Sequence, residues 1–346
     1  MNVLITGGAG FLGAHLAEKL LSEGHSVVVY DDLSRPGSDA VARRLNERFD
    51  STRCLTFIFR DVRNDGEISR ALDGIDTVVH CATAGTEDSV VLDPHADFQV
   101  RVGGTLSILE AIRRCAPDAH FLLPSTVSVY GAAPVIEQRL TIAADERFKA
   151  VPHTAAGAAA LAAEAYTIAF GKSYGLKTTV MRFSTLYGGE GLVEDEGWVG
   201  RFVAAAKSSE TFTAPVELPF PVDILHIADA TSAIRGVLAM SNATAGQLFN
   251  VGGGARNAPS LRQVAARIEE LGGRILMAPP EPSALHAFVL DPRKLRSITG
   301  WQPVIGWREG ITRAMGGPSL GLSLPEQSEP QEPRALVAFP RAEGLA

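Results

Sequence analysis

The stretch NVLITGGAGFLGAHLAEKLLSEG, residues 2–24, constrains this chain more than any other. An aliphatic run ends at Thr6 and meets a cluster of glycines, and from about Phe11 the apolar residues recur at helical spacing. Gly8, Gly10 and Gly13 fit G-x-G-x-x-G, and Gly7, Gly10 and Gly13 fit the related G-x-x-G-x-x-G spacing. Positions without a side chain let the backbone approach a pyrophosphate, whose charge then sits at the positive end of the following helix. The last glycine lets that helix pack closely on a sheet. Asp31 ends the next apolar run, SVVVYDD, 18 residues after Gly13 and close to where a carboxylate binds the hydroxyls of an adenosine ribose. A carboxylate there repels a 2′-phosphate, which favours NAD over NADP, with Arg35 a weak counterweight. The plainer alternative for Asp31 is a solvated turn residue.

The runs NVLIT, SVVVY, LTFIF, DTVVH, HFLLP and TTVMR read as strands, and FLGAHLAEKLLSEG and GTLSILEAIRRC between them read as helices. Continuous apolar strands alternating with helices predict an α/β fold, a Rossmann-type doubly wound parallel sheet covered on both faces. That domain is expected to span residues 1–186. After about Gly188 glycine, proline and acidic residues become frequent, as in YGGEGLVEDEGW, so residues 187–315 read as a smaller C-terminal substrate lobe with segments near 222–251 returning to the sheet. The strand-like LFNVGGG and the helix SLRQVAARIEELGG fall in this half. The proline-punctuated, aperiodic residues 316–346 are expected to be a disordered tail.

Composition narrows the function classes. A net charge of −7 with no basic run argues against a nucleic-acid surface. The three cysteines, Cys54, Cys81 and Cys115, form neither a disulfide framework nor a zinc-ligand pattern, so no metal is expected. No apolar run reaches membrane-spanning length, and the opening MNVLITGGAG carries no basic leader; the expectation is a cytoplasmic protein.

With these pieces in view, the chain resembles the extended short-chain dehydrogenase/reductase family, and within it the NAD-dependent sugar-nucleotide epimerases and dehydratases. The likeness covers roughly residues 1–315 and rests on motifs in the right order: GGAGFLG, RDVRN, VVHCATAG, GGTLSILEA, PSTVSVYG, MRFSTLYG, VDILHIADATSAI, LFNVGGG and ITGWQPVIGWREGI. The resemblance implies that Gly7, Gly10, Phe11, Leu12 and Gly13 line the cofactor turn, that Asp61 and Val62 reach the adenine, and that Cys81 and Ala82 lie beside the pyrophosphate and ribose. It also implies a small-molecule substrate, in the form of a sugar nucleotide, and a homodimer formed by pairing two long helices, here about 97–116 and 154–174.

One family motif is missing. The family carries Tyr-x-x-x-Lys, whose four-residue spacing sets both side chains on one helix face. The lysine binds the nicotinamide ribose and lowers the tyrosine pKa, so that the phenolate takes a proton from a sugar hydroxyl. Aligning GAAALAAE on the family's GASKLAAE puts Ala156 at the tyrosine and Ala160 at the lysine, and no tyrosine in the chain has a lysine four residues later. Thr126 stands where a Ser or Thr donates to the reacting hydroxyl; a strand-end hydroxyl tying down a turn is the alternative. His153, three residues before Ala156, is a conceivable substitute base and equally a solvated histidine. The family's acidic pair after the Thr in dehydratases is Val127 and Ser128, which makes the chain more like an epimerase. Further departures are Arg101 for an asparagine, Thr185 for an asparagine, and Val222 for an arginine that often contacts the nucleotide diphosphate. Spread over the chain, they mark divergence rather than two isolated substitutions. The expectation is therefore unorthodox chemistry on a sugar-like substrate, an NAD-binding pseudoenzyme or partner subunit, or a non-redox enzyme on the same fold.

Overall fold

In strand β1 (Asn2–Thr6) Val3 and Ile5 join one apolar cluster and Leu4 joins another, and all three are fully buried. A strand apolar on both faces requires cover on both, and this requirement organises the computed structural model, which describes residues 1–85, 93–131, 142–189, 197–213, 221–278 and 288–316. The remaining strands, in chain order, are β2 (Ser26–Asp31), β3 (Leu55–Phe59), β4 (Thr77–His80), β5 (His120–Thr126), β6 (Ile142–Ala144), β7 (Thr178–Phe183), β8 (Thr185–Tyr187), β9 (Thr211–Thr213), β10 (Ile224–His226), β11 (Gln247–Val251), β12 (Leu276–Ala278) and β13 (Phe288–Leu290). Seven form one sheet in the order β3-β2-β1-β4-β5-β7-β11, every neighbouring pair parallel. The six strand runs expected from sequence all lie in it, so the Rossmann-type parallel sheet is the fold. The pairs β8–β10, β6–β13 and β9–β12 form three small parallel ladders. The expected tail lies, beyond Gly316, outside the described residues.

The helices used below are α1 (Phe11–Ser22), α2 (Ser38–Phe49), α3 (Asp65–Ala71), α4 (Pro94–Phe98), α5 (Gly104–Cys115), α6 (Ala155–Tyr174), α7 (Trp198–Ser208) and α8 (Ile227–Ala239). Leu16, Leu20, Leu45, Ile234 and Val237 from α1, α2 and α8 cover one sheet face with Val3, Ile5, Val29 and Phe249. Ile68, Ile108, Leu109, Ile112 and Phe170 from α3, α5 and α6 cover the other with Leu4, Val78, Phe121 and Val180. Tyr187, Trp198, Phe202, Ile224, Leu261 and Ile311 build a separate cluster beyond the sheet edge.

The unbroken helix expected near 97–116 is instead interrupted. Between α4 and α5 the backbone widens into a π-helical turn, Gln99–Gly103. Two local features accompany it. Thr105 Oγ1 donates to the Arg101 carbonyl at 2.6 Å. Gly104 presses so close to the loop after β3 that a Cβ there would stand 2.8 Å from Val62 Cγ2. Insertions of this kind inside a helix recur at functional sites because they re-aim side chains. Helix α6 starts as its sequence suggests, with Thr154 Oγ1 accepting from the Gly157 amide at 3.0 Å, and stops at Gly175 in the left-handed region. Among the described residues no helix is long and apolar enough to cross a membrane.

Two sets of contacts tie the short ladders to the sheet and to α1. Gly188 and Gly189 have φ of +94° and +91°, and a Cβ on either would stand 2.6 Å from a ring nitrogen, His226 Nε2 for the first and His15 Nε2 for the second. Burial holds His226 down to about 4, with the charges of Arg313 and His15 adding to the fall, and lowers His15 as well. The second contact is Asp223, which is fully enclosed: Oδ1 accepts from the Gly253 amide at 2.8 Å and Oδ2 from the Leu290 amide at 2.9 Å. It thereby ties β10 to the ends of β11 and β13. Burial raises its pKa to about 7, against the pull of the donated hydrogen bonds.

A folded-state pKa above the unfolded value means that the folded state binds the extra proton, so this group's contribution declines as pH rises from about 4 through about 7 and is level above that. Asp223→Asn sets an amide group against one of two donating N–H groups and should cost about 1–3 kcal/mol. Urea unfolding at pH 5 and pH 8 should show wild type losing ground to the variant as pH rises; parallel curves would show that Asp223 does not titrate in this range.

Candidate functional site

Strand order reverses between β1 and β4, and in open parallel sheets the crevice at the carboxyl ends of such strands is where ligands bind. The glycine turn fills one side of it. Gly7 has φ +65°, and a Cβ there would lie 2.6 Å from the Ala82 N and Cα at the end of β4. A Cβ on Gly13 would lie 2.3 Å from the Gly7 carbonyl oxygen, and Gly10 caps α1 with its amide donating to that same oxygen at 3.0 Å. Phe11 and Leu12 open α1, half-buried. The three glycines therefore form one closed turn around the Gly7 carbonyl, with the free amides of the α1 N-terminus above it.

Asp31 ends β2 at the same level. Its Oδ2 accepts from the Ala9 amide in the glycine turn and its Oδ1 from the Leu33 amide, each at 2.9 Å. Burial raises its pKa, and the two amide donors work against that rise. The carboxylate is thus braced by the turn rather than solvated. Asp61 and Val62 follow β3. Val62 is buried under α5, whereas the Asp61 carboxylate is gripped by Arg63 through Nε at 2.9 and 2.8 Å, which lowers its pKa. Arg63 Nη1 also donates to Gln99 Oε1 at 3.1 Å, tying this segment to the π-helical turn. Cys81 is bonded through its amide to Thr6 O at 2.9 Å; burial pushes its thiol up to about 12, so it is a neutral lining group. His80, just before it, meets Thr6 Oγ1 at 2.6 Å and is held at about 3 by burial, with the Arg101 charge adding to the fall.

The other half of the site is the end of β5 against α6. Ser125 Oγ donates to Glu164 Oε1 at 2.5 Å, and Arg182 pairs with Glu164 through Nε at 3.0 Å and Nη2 at 2.6 Å. The Arg182 guanidinium lies 4.8 Å from the centre of the Tyr130 ring, and the Tyr130 hydroxyl donates to Asn250 Oδ1 at 2.8 Å. Glu164, Arg182 and Tyr130 are all buried, so this is a fully enclosed network pinning α6 to β5, β7 and β11. Sequence reasoning did not single out this network; the acid in LAAE and the arginine ending TTVMR were its only traces.

Thr126 caps the turn after β5: its Oγ1 accepts from the Ser128 amide at 3.2 Å and lies 3.1 Å from Ser128 Oγ. Ala156 and Ala160 are buried on one face of α6, 3% and 2% exposed. Ala160 belongs to an apolar cluster with Val127, Val129, Tyr130, Phe288 and Leu290, and the backbone of α6 comes so near that a Cβ on Gly157 would stand 2.5 Å from Ser128 O. His153 is exposed, with its ring edge beside Gly131. The structure therefore brings together the glycine turn, Asp31, Val62, Cys81 and Ala82 as one lining. Thr126, Ala156 and Ala160 lie on the adjoining β5–α6 flank.

A dinucleotide fits this lining. The turn has no room for side chains where a diphosphate must approach, the helix N-terminus supplies positive charge, and Asp31 offers a braced acceptor at the ribose distance along the sequence.

Comparison with known proteins agrees. The family described as "NAD dependent epimerase/dehydratase family" matches residues 3–252. A CDP-paratose 2-epimerase from Salmonella typhi is 30% identical over 340 residues, covering 90% of this chain and 98% of its own. The crystal structure of UDP-glucose 4-epimerase from Thermus thermophilus in complex with NAD is 29% identical, with a TM-score of 0.74 over 91% of this chain and 98% of that one. The UDP-glucuronic acid 4-epimerase of Bacillus cereus, with UDP-glucuronic acid and NAD, shares the fold at a TM-score of 0.81 and 22% identity, over 91% of this chain and 98% of that one.

Two left-handed glycines test the cradle. Gly7→Ala meets backbone at 2.6 Å, whereas Gly24→Ala meets nothing within 4 Å. Both carry the left-handed cost of about 1–2 kcal/mol. Calorimetry should show NAD affinity falling at least about tenfold in Gly7→Ala only, the equivalent of ~1.4 kcal/mol; equal affinities would refute the close approach. NADP should bind more weakly than NAD, with Asp31→Asn narrowing the gap.

Proposed function

The chain belongs to the NAD-dependent epimerase/dehydratase family, and from that premise we propose that it holds NAD with a sugar nucleotide or closely sugar-like ligand, without tyrosine-assisted proton transfer. NAD supplies a hydride acceptor when bound. The chain's own part in the family reaction is to take a proton from the sugar hydroxyl, and it is this part that the residues here do not provide.

The single observation behind this reading is the pair Ala156 and Ala160, buried side by side on α6 within an otherwise intact scaffold. Neither carries a titratable group. The Thr126 hydroxyl is engaged by the Ser128 turn, and an alcohol has too high a pKa to serve as a base unaided. Tyr130 is no replacement: its hydroxyl donates to Asn250 and burial raises its pKa. The similarity to sugar-nucleotide epimerases supports the ligand class.

A second reading is an NAD-holding partner subunit with no sugar nucleotide. It draws on Val222, which is 2% exposed, an apolar side chain where the family resemblance implies an arginine for the nucleotide diphosphate. A homodimer through α5 and α6 belongs to either reading, supported by Tyr166 and Tyr174, 41% and 54% exposed on α6.

The deciding assay is interconversion of UDP-glucose and UDP-galactose. A positioned general base contributes about 10²–10⁴ in rate, so turnover should lie that far below an ordinary epimerase. Ala156→Tyr combined with Ala160→Lys should raise it. Ordinary turnover by the wild-type protein would sink the proposal. Tight NAD binding with no affinity for UDP-sugars would replace the first reading with the second.

A further inference from the structure

The dinucleotide reading leaves one charge to be located. In the family this chain resembles, the lysine of Tyr-x-x-x-Lys presents a cation to the nicotinamide ribose; here that position is Ala160. The chain carries a cation of its own elsewhere, Arg101, where the family has a neutral asparagine.

Arg101 sits in the π-helical turn between α4 and α5. Its Nε is 3.1 Å from Asp97 Oδ2 and 3.3 Å from Oδ1, and the side chains are 14% and 0% exposed. A fully enclosed carboxylate is costly without a partner, so this pair is a fixed device and not a surface ion pair. Asp97 engages Nε alone. Among the described residues neither Nη atom of Arg101 has a hydrogen-bond partner, which leaves the outer edge of the guanidinium fork, with its four N–H groups, unassigned.

The π-helical turn lies against the end of β4. The Arg101 charge acts on His80, the last residue of β4, and a Cβ on Gly104 would stand 3.7 Å from the His80 ring and 2.8 Å from Val62. The residue after His80 begins the Cys81–Ala82 segment that touches Gly7. Helix α1 covers one sheet face and α5 the other. The glycine turn and the π-helical turn that carries Arg101 therefore both lie at the carboxyl end of β1 and β4, on helices that cover opposite faces of the sheet.

We propose that Arg101, presented by Asp97 from the π-helical turn, is the cation that holds the diphosphate–ribose portion of the dinucleotide in this chain, taking over the charge that Ala160 no longer supplies. A guanidinium suits this role, because its planar fork matches phosphate oxygens and stays charged at every working pH. The asparagine of the family needs no buried carboxylate beside it, whereas an arginine there does, and Asp97 answers that need one helical turn earlier. The inference rests on the dinucleotide reading.

The test is calorimetric binding of NAD⁺, ADP-ribose, adenosine and UDP-glucose to the full chain as wild type, Arg101→Lys, and the double variant Asp97→Asn/Arg101→Asn. The double variant removes both charges together and so strands no buried carboxylate. Losing charge-assisted hydrogen bonds should weaken NAD⁺ and ADP-ribose by about 10–100-fold in the double variant and leave adenosine unchanged. Arg101→Lys should fall between, since a point charge keeps the attraction and loses the fork. ADP-ribose bound by the double variant as tightly as by wild type would overturn the proposal. So would an equal loss of adenosine, which would mark a purely structural role, or a loss seen with UDP-glucose alone. If wild type itself binds no NAD⁺ or ADP-ribose, the dinucleotide reading falls and this inference with it.

Discussion

The backbone of Gly7 lies against the backbone of Ala82, with no volume for a side chain between them. Much of the site depends on that contact. It closes β1 onto the end of β4 at the point where strand order reverses, aims the α1 N-terminus into the crevice, and lets the Ala9 amide reach Asp31. The interaction gains little energy by itself. Its effect is positional, because every group in the lining takes its height from the level at which these two chain segments meet.

The flank between β5 and α6 is a different kind of structure. Glu164, Arg182, Ser125, Tyr130 and Asn250 form a buried polar network of the sort that is costly unless every member is satisfied. It anchors α6 at its third turn, through Glu164. Ala156 and Ala160 lie toward the start of that same helix and contribute only methyl groups. Polar anchor and apolar face are thus separate along a single helix. The polar network holds the middle of the helix, and Ala160 near its start packs in an apolar cluster.

Much of this was legible in the order of residues. The parallel sheet follows from apolar strands spaced by helices, and the glycine turn from three positions where a Cβ has no room; both are local signals that tertiary context reinforces. Asp31 was readable from its distance to Gly13, although its bracing by Ala9 was not. The interruption between α4 and α5 was missed, because a π-helical turn has no strong compositional signature. The Asp97–Arg101 pair was visible as an acid and a base four residues apart, a spacing that usually means a solvated helix face. Only burial distinguishes it from that case. Glu164 and Arg182 are 18 residues apart in sequence and meet through the sheet, a pairing that no periodicity announces.

The histidine–glycine contacts at Gly188 and Gly189 bear on how such a chain can change over time. Both glycines adopt a conformation that other residues resist, and both have their Cβ volume taken by a ring from another element, His226 in one case and His15 in the other. Sliding the chain by one residue would set a side chain into one of the two fits. The junction fixes the register at which the chain leaves β8, between a ring from β10 on one side and a ring from α1 on the other.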